Sequence, residues 1–377
     1  MKKILILAGR YLPGYKDGGP VRTLINLTDL LGDEYDFYLA VLDRDHGDAE
    51  AYPNIKINEW NQIGKAKVWY YRAGEMNFSL IRKLAKNVNL VYLCGFYSSY
   101  GYKTLILNRF GCLFGKPVVI APMGSFSEGA LAQKSKKKKI FITICKLFGL
   151  FKNIRWSVTS ELEVGDVKRE INEKAMCVIA EDPPRASIKV EHKNLVDGEK
   201  IKIVFISRVS PKKNLLYAIQ VLKNVRCDIK FDIYGPLEDK AYWNNCKSLL
   251  LELPDNIKWN YCGEVDTNHV PEIFTKYDLF LFPTLGENYG HVIFEALAAG
   301  CVPIISDQTP WDDIQKKKAG YIIPLYDQDR YCKIIEEYQS KSITERKKIS
   351  ENAVEVAKQK VEQSKVHSGY RDIFEWG

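Results

Sequence analysis

Apolar residues along the chain fall into short unbroken runs separated by stretches with helical spacing. The run KILILA (3–8) comes first and closes on a glycine-rich turn. PVRTLINLTDLLG follows, with Pro20 at its start and Gly32 at its end, the asymmetry expected of a helix. YDFYLAVL (35–42), NLVYLCG (89–95) and KPVVIAP (116–122) repeat the first run, with a helical stretch through KTLILNRFG between the last two. RWSVTS and KAMCVIA then read as strands around a helix at 161–172. Short, wholly apolar strands alternating with helices predict a parallel sheet covered on both faces.

The pattern breaks at EDPPRASIKVEHKNLVDGEK (181–200), a polar segment with two consecutive prolines, and then starts again. IKIVFIS (201–207), DIKFDIYG (228–235), IKWNYCG (257–263), DLFLFPT (278–284) and CVPIIS alternate with helices at 214–224, 239–252 and near 268–276, and with one after Gly290. Two charged helices end the chain. The fold class this implies is α/β, with two Rossmann-like parallel-sheet domains facing across a cleft. Their expected extents are 1–182 and 200–362, with a helix at about 363–377 packing back on the first. Ligands of such sheets bind beyond the carboxyl ends of the strands.

Length agrees, since 377 residues is long for a single core. A net charge of +8 is a mild basic excess that favours anionic partners without choosing among them. The nine cysteines include no C-x-x-C pair and several lie in the apolar runs, the usage of a reducing compartment. The opening apolar run is too short for a signal-peptide core, and none reaches the length of about 20 residues needed to span a bilayer. A cytoplasmic protein is expected. The histidines at 46, 192, 269, 291 and 367 lack ligand spacing, so no metal is expected.

Three segments carry candidate chemistry. After the first strand, GRYLPGYKDGGPVRT has the two glycines of a P-loop, but Tyr15 intervenes before Lys16, and Asp17 stands where Ser or Thr would hold magnesium. No strand is followed by G-x-G-x-x-G, which argues against a nicotinamide dehydrogenase. Gly18 and Gly19 remain, at a helix start where free amides favour an anion, or simply in a turn needing a left-handed residue. In SRVSPKKN (207–214), Arg208 and Lys213 stand just past a strand and beside a helix start. Together they suit a diphosphate; separately they are ordinary solvated cations.

The third segment, FPTLGENYGHVIFEALAAG (282–300), sets Glu287 and Glu295 on either side of a glycine turn. With a helix starting near Gly290, the two acids can approach one ligand from two sides and accept from its hydroxyls. Equally, Glu295 can serve the helix dipole while Glu287 is a plain turn residue.

Taken with its neighbours, this segment resembles the E-x7-E signature of the family 4 retaining glycosyltransferases, which have the GT-B fold. SRVSPKKN resembles the family's cation pair for the donor diphosphate, DGGPVRTLINL its first glycine loop, and YCGEV (261–265) its nucleobase loop. TSELE (159–163) and CVPIISDQTPWDDI also fit, so the resemblance covers nearly the whole chain. It implies that Arg208, Lys213 and Glu287 are the catalytic residues, the cations holding the leaving nucleoside diphosphate. Glu287, with Asn288, Tyr289 and Gly290, would bind the donor sugar, Glu295 the ribose, and Gly263 and Val265 the base. Gly18 and Gly19 would flank the phosphates or the acceptor. Two features depart from the family: Pro122, Met123, Gly124 and Ser125 stand where many members carry a histidine, and the usual Pro-Asn-Gly before the linker is Glu181 to Pro184.

The run containing Lys136, Lys137, Lys138 and Lys139 leads into an apolar, aromatic-rich helix. It reads as a solvated face, as a docking site for an anionic membrane, or as a contact to an acceptor diphosphate, and the aromatic helix could also be interdomain core. APMGSFSEGALAQKSKKKK resembles bacterial polysaccharide-assembly members of the family. The expected activity is retaining transfer from a nucleotide sugar, UDP before GDP-mannose, to a saccharide or lipid-linked acceptor of an O-antigen, capsule or exopolysaccharide. The resemblance implies no cofactor and leaves the enzyme either free in the cytoplasm or peripheral at the cytoplasmic face of the inner membrane. A sugar-nucleotide epimerase is the alternative enzyme. A nucleic-acid partner is not expected, because recognition motifs are lacking.

Overall fold

A computed structural model of the chain describes residues 1–127, 131, 135–185, 200–266 and 269–376. Most of the polar segment at 181–200 therefore lies outside the described residues, as do Lys134 and His192. The chain divides into two compact units, Met1–Ala186 with Gln363–Gly377, and Ser187–Glu362.

In the first unit the elements run β1 (Lys2–Leu7), α1 (Gly19–Leu31), β2 (Tyr35–Leu42), β3 (Trp60–Ile63), β4 (Ala66–Tyr71), α2 (Phe78–Ala85), β5 (Leu90–Cys94) and α3 (Ser99–Arg109). They continue with β6 (Val118–Ala121), α4 (Ser135–Leu147), β7 (Ile154–Val158), α5 (Glu161–Glu170) and β8 (Met176–Ile179). The eight strands order β3-β4-β2-β1-β5-β6-β7-β8 and pair in parallel, except that β3 is antiparallel to β4. The apolar-run pattern passes over this hairpin. β3 is a half-exposed four-residue edge, and β4 is buried on both faces, so neither alternates cleanly.

The second unit holds β9 (Ile201–Ile206), a 3-10 turn (Pro211–Lys213), α6 (Leu215–Lys223), β10 (Ile229–Tyr234), α7 (Lys240–Leu250), β11 (Ile257–Gly263), α8 (Val270–Phe274) and β12 (Leu279–Phe282). It continues with α9 (His291–Ala298), β13 (Val302–Ser306), α10 (Asp313–Lys316), β14 (Tyr321–Ile323), α11 (Gln328–Ser340) and α12 (Ile343–Val366). Its six-stranded sheet orders β11-β10-β9-β12-β13-β14, parallel throughout. Strand order reverses direction between β9 and β12, and at such a switch point the loops diverge and open a crevice. The equivalent reversal in the first sheet lies between β1 and β5.

After α12, helix α13 (Gly369–Phe374) packs on the first sheet. Its buried Tyr370, Ile373 and Phe374 cover the face of β1, β2 and β5, and the Phe374 ring sits 5.7 Å from Phe37. Burying such side chains contributes about 1.5–3 kcal/mol each. Arg371 fixes the approach with two bonds to the Glu34 carboxylate, 2.6 and 2.7 Å long. All nine cysteines are free, and four are buried.

Candidate active site

Beyond β9, residues Ser207–Val209 run flush along the end of β10, where Ser207 N donates to Tyr234 O and Val209 N to Pro236 O. Gly235 makes this possible. Its φ is +135°, and a Cβ there would stand 1.9 Å from Ser207 O, a distance no side chain can occupy. The same residue donates its amide to Gly263 O, so Arg208, Gly235 and Gly263 sit on three neighbouring strand ends. Gly263 is left-handed at a register shift of β11, and Val265 packs half-buried against the core. Arg208 Nη1 meets Glu238 Oε1 at 2.9 Å, with both side chains nearly half exposed. Nothing in the sequence pattern singled out Gly235 or Glu238; the glycine is legible only once β10 is known to end there.

The next turn is joined to the loop after β12. Asn214, itself left-handed, donates its side-chain amide to Pro283 O at 2.9 Å, and Leu285 N donates to Lys212 O at 2.9 Å. These bonds bring Lys213 Nζ to 2.6 Å from Glu287 Oε1, where the side chains are only 13% and 11% exposed. The Phe282 ring lies 5.7 Å from the same ammonium. At that degree of burial the charges hold each other in place, and removing one partner costs about 3–5 kcal/mol.

Glu287 N donates to Gln308 O, and the turn then closes at Gly290. Gly290 has φ +81°, and a Cβ would lie 2.9 Å from Ile293 Cδ1, so the helix start depends on glycine here. Tyr289 is buried against Trp311, whose Nε1 donates to Tyr289 O at 2.6 Å. Asn288 is half-buried in the turn. Glu295 lies in α9, buried at 7% exposure. The structure thus gathers Lys213 and Glu287 into direct contact and sets Arg208 against a different carboxylate.

The remaining candidates lie in the first unit. Gly18 caps α1 with φ +66°, and a side chain at Gly18 or Gly19 would meet open space, so backbone conformation rather than crowding selects Gly18. Next to it, Asp17 accepts from Arg10 Nη1 at 2.6 Å and pairs with His46 Nδ1 at 2.9 Å. The loop where a histidine is absent has Met123 left-handed, and Gly124 N donates to the buried Glu163 at 2.6 Å. Glu163 Oε2 also takes Thr159 N, which gives TSELE a local structural role. On α4, Lys136, Lys137 and Lys139 are exposed, while Lys138 stacks over Tyr97 at 5.1 Å. The apolar residues after them divide. Phe141 and Phe151 pack against Phe96, while Ile140, Ile144, Leu147 and Phe148 are 59%, 47%, 80% and 63% exposed. Among the described residues, no group of three or more acidic, His or Cys side chains is placed to hold a metal ion.

Residues 187–356 match the family described as glycosyl transferases group 1. That match spans most of the second unit, and the residues gathered at β9 and β12 lie within it. The enzymatic class of the chain is glycosyltransferase. An uncharacterized 41.2 kDa protein in the cps region of Klebsiella pneumoniae is 24% identical over 258 residues, covering 64% of this chain and 66% of that protein. Among solved structures, Anabaena HepE in complex with UDP-glucose superposes with a TM-score of 0.69 at 13% identity, over 97% of this chain and 98% of that one. Sucrose-phosphate synthase from Thermosynechococcus elongatus gives 0.75 at 12% identity over the whole of both chains. WaaG, a glycosyltransferase involved in lipopolysaccharide biosynthesis, gives 0.64 at 13% identity, over 99% and 100%. The fold of this glycosyltransferase is GT-B.

Proposed function

We propose that this glycosyltransferase moves a sugar, with retention of anomeric configuration, from a UDP-sugar to a saccharide acceptor during assembly of a bacterial surface polysaccharide. The observation that carries this reading is the Lys213–Glu287 contact at the switch point of the second sheet, with Arg208 on the adjoining strand end. Two cations there neutralise a diphosphate and stabilise the charge that grows on it as it leaves. Glu287 and the backbone of 288–290 take the sugar, Glu295 the ribose, and Gly263 to Val265 the base. The anomeric carbon breaks its bond to the phosphate oxygen and forms one to the acceptor oxygen on the same face. The acceptor's hydroxyl proton passes to the departing phosphate, which makes a strong protein base unnecessary. The chemistry read here calls for no metal ion or cofactor. HepE, with UDP-glucose in its crystal structure, supports UDP as the nucleotide, and the cps-region relative supports capsule as the product class.

The first unit, with Gly18 and Gly19, takes the acceptor in this reading, and α4 suits a lipid-linked one. Ile140, Ile144, Leu147 and Phe148 recur at helical spacing on its exposed side, with Lys136, Lys137, Lys139 and Lys146 beside them. Such a stripe lies along an anionic bilayer surface, its apolar side chains in the interface and its lysines on the head groups. No described helix is long and apolar enough to cross a membrane.

The test is transfer and donor hydrolysis with UDP-glucose, UDP-galactose, UDP-N-acetylglucosamine and GDP-mannose. Arg208→Ala and Glu287→Ala should each lower the rate by about 100-fold or more. Wild-type rates in both would remove the site assignment, and epimer formation without acceptor would identify an epimerase instead.

A further inference from the structure

We propose that Thr284, which the motif reading did not single out, is the positioning residue that holds the Glu287 carboxylate in one orientation, with one oxygen bonded inward and the other turned to the donor sugar. This deepens the donor-site reading above and rests on it. Thr284 follows β12 by two residues and is fully buried. Its own backbone is held from the next strand, where Ser306 Oγ donates to Thr284 O at 2.6 Å. From that fixed position its hydroxyl has three acceptors in range: Glu287 Oε1 at 2.9 Å, Lys212 O at 3.2 Å and Gly286 O at 3.5 Å. A hydroxyl carries one hydrogen, and Lys212 O already accepts from Leu285 N at 2.9 Å. The carboxylate is both the shortest and the charged acceptor, so the hydrogen goes to Oε1. Gly286 N at 3.3 Å then supplies a donor to the hydroxyl oxygen.

Glu287 Oε1 consequently receives two hydrogen bonds, from Lys213 Nζ at 2.6 Å and from Thr284 Oγ1 at 2.9 Å. Oε2 receives none from the described residues. The two bonds fix the plane of the carboxylate and leave one oxygen with its full acceptor capacity for ligand hydroxyls. Lys213 cannot set that plane by itself. An ammonium has three rotatable donors on a flexible stem and follows the carboxylate as it turns. A β-branched hydroxyl fixed through its own backbone does not. Thr284 and Lys213 also divide the work, since the lysine supplies charge to the diphosphate region and the threonine supplies direction to the sugar region.

The test uses the full-length enzyme with Thr284→Val, which keeps the shape and removes the hydroxyl, and Thr284→Ser, which keeps the hydroxyl. Of the four nucleotide sugars named above, the one that raises the melting temperature of the wild type most is compared with its free nucleoside diphosphate by calorimetry, and turnover is followed alongside. The expected result for Thr284→Val is a loss of about tenfold in the affinity advantage of the nucleotide sugar over the diphosphate. A comparable fall in kcat should accompany it, with diphosphate affinity within about twofold of wild type. Thr284→Ser should recover both to within about threefold. A merely structural role would weaken diphosphate and nucleotide sugar together and lower the melting temperature, and that outcome overturns the proposal. Wild-type behaviour in Thr284→Val overturns it as well. Failure of the donor-site reading shows separately, as an absence of nucleotide-sugar and diphosphate binding by the wild type.

Discussion

At the switch point of the second sheet, the loops after β9 and β12 are fastened to each other by the Asn214 and Leu285 hydrogen bonds and by the Lys213–Glu287 pair. In the first sheet, the loop after β1 is fastened to the loop after β2 instead. Asp17 binds His46, Asp45 accepts from Tyr15 N and Lys16 N, and Lys16 Nζ reaches Asp48. The charges differ in setting too: Lys213 and Glu287 are nearly buried, whereas the His46 side chain is 71% exposed. Both sheets wind in the same order around their reversal point. The second invests it with a rigid, preorganised constellation, which suits a diphosphate and a sugar that must be held in one geometry. The first anchors its loops on the buried Asp45 and leaves the outer members, His46, Lys16 and Asp48, in solvent, where exposed loops accommodate variety.

The contrast is open to attack at its glycines, and there the largest effect is expected. Gly235→Ala forces a Cβ against Ser207 O and should cost the second unit about 3 kcal/mol or more. UDP binding in a titration should be lost with it. Gly18→Ala meets no neighbour and should cost only the strain of its backbone, about 1–3 kcal/mol, with UDP affinity kept. Equal loss of UDP binding in both would erase the distinction between the two reversal points.

A second comparison concerns the outer side of α4. Leu147→Glu with Phe148→Glu should abolish co-sedimentation with phosphatidylglycerol-rich vesicles while leaving UDP affinity unchanged. Replacing Lys136, Lys137 and Lys139 by Ser should weaken vesicle binding less, at about 1 kcal/mol for each lysine. Wild-type protein that ignores the vesicles would return this surface to ordinary solvent exposure.

A further expected effect is a pH dependence that belongs to the first unit. Asp182 is buried, and desolvation pushes its pKa up to about 7, against the pull of a Thr23 hydrogen bond. An acid with a raised folded pKa binds its proton more tightly when folded. Its contribution is therefore most favourable below the ordinary carboxylate pKa and declines as pH rises to about 7. Asp182→Asn stays neutral, so it should melt close to wild type at pH 4.5 and several degrees higher at pH 8. Each pKa unit corresponds to about 1.4 kcal/mol. A melting difference that does not change with pH would show that Asp182 is not the titrating group.

Much of this was legible in the chain itself. The buried strands of both sheets announce themselves as unbroken apolar runs, because a parallel sheet covered on both faces has no polar side to alternate with. The edges were not legible. β3 and β14 are four and three residues long, and so short a segment carries no period. The candidate site divides in the same way. Lys213 and Glu287 stand out by residue type and spacing. Gly235, Glu238 and Thr284 do not, because their importance comes from strands far apart in sequence ending side by side.

The sequence by itself determined the two-sheet architecture, the helix starts at Pro20 and Gly290, and the residue types able to hold a diphosphate and a sugar. Those properties are local, set by hydrophobic period, backbone preference and side-chain chemistry. Only the tertiary structure decided that Lys213 lies against Glu287 while Arg208 lies against Glu238. It also decided that Phe141 turns inward while Leu147 and Phe148 face solvent. Such choices depend on distances between segments tens of residues apart, and those exist only once the sheets have aligned their strand ends.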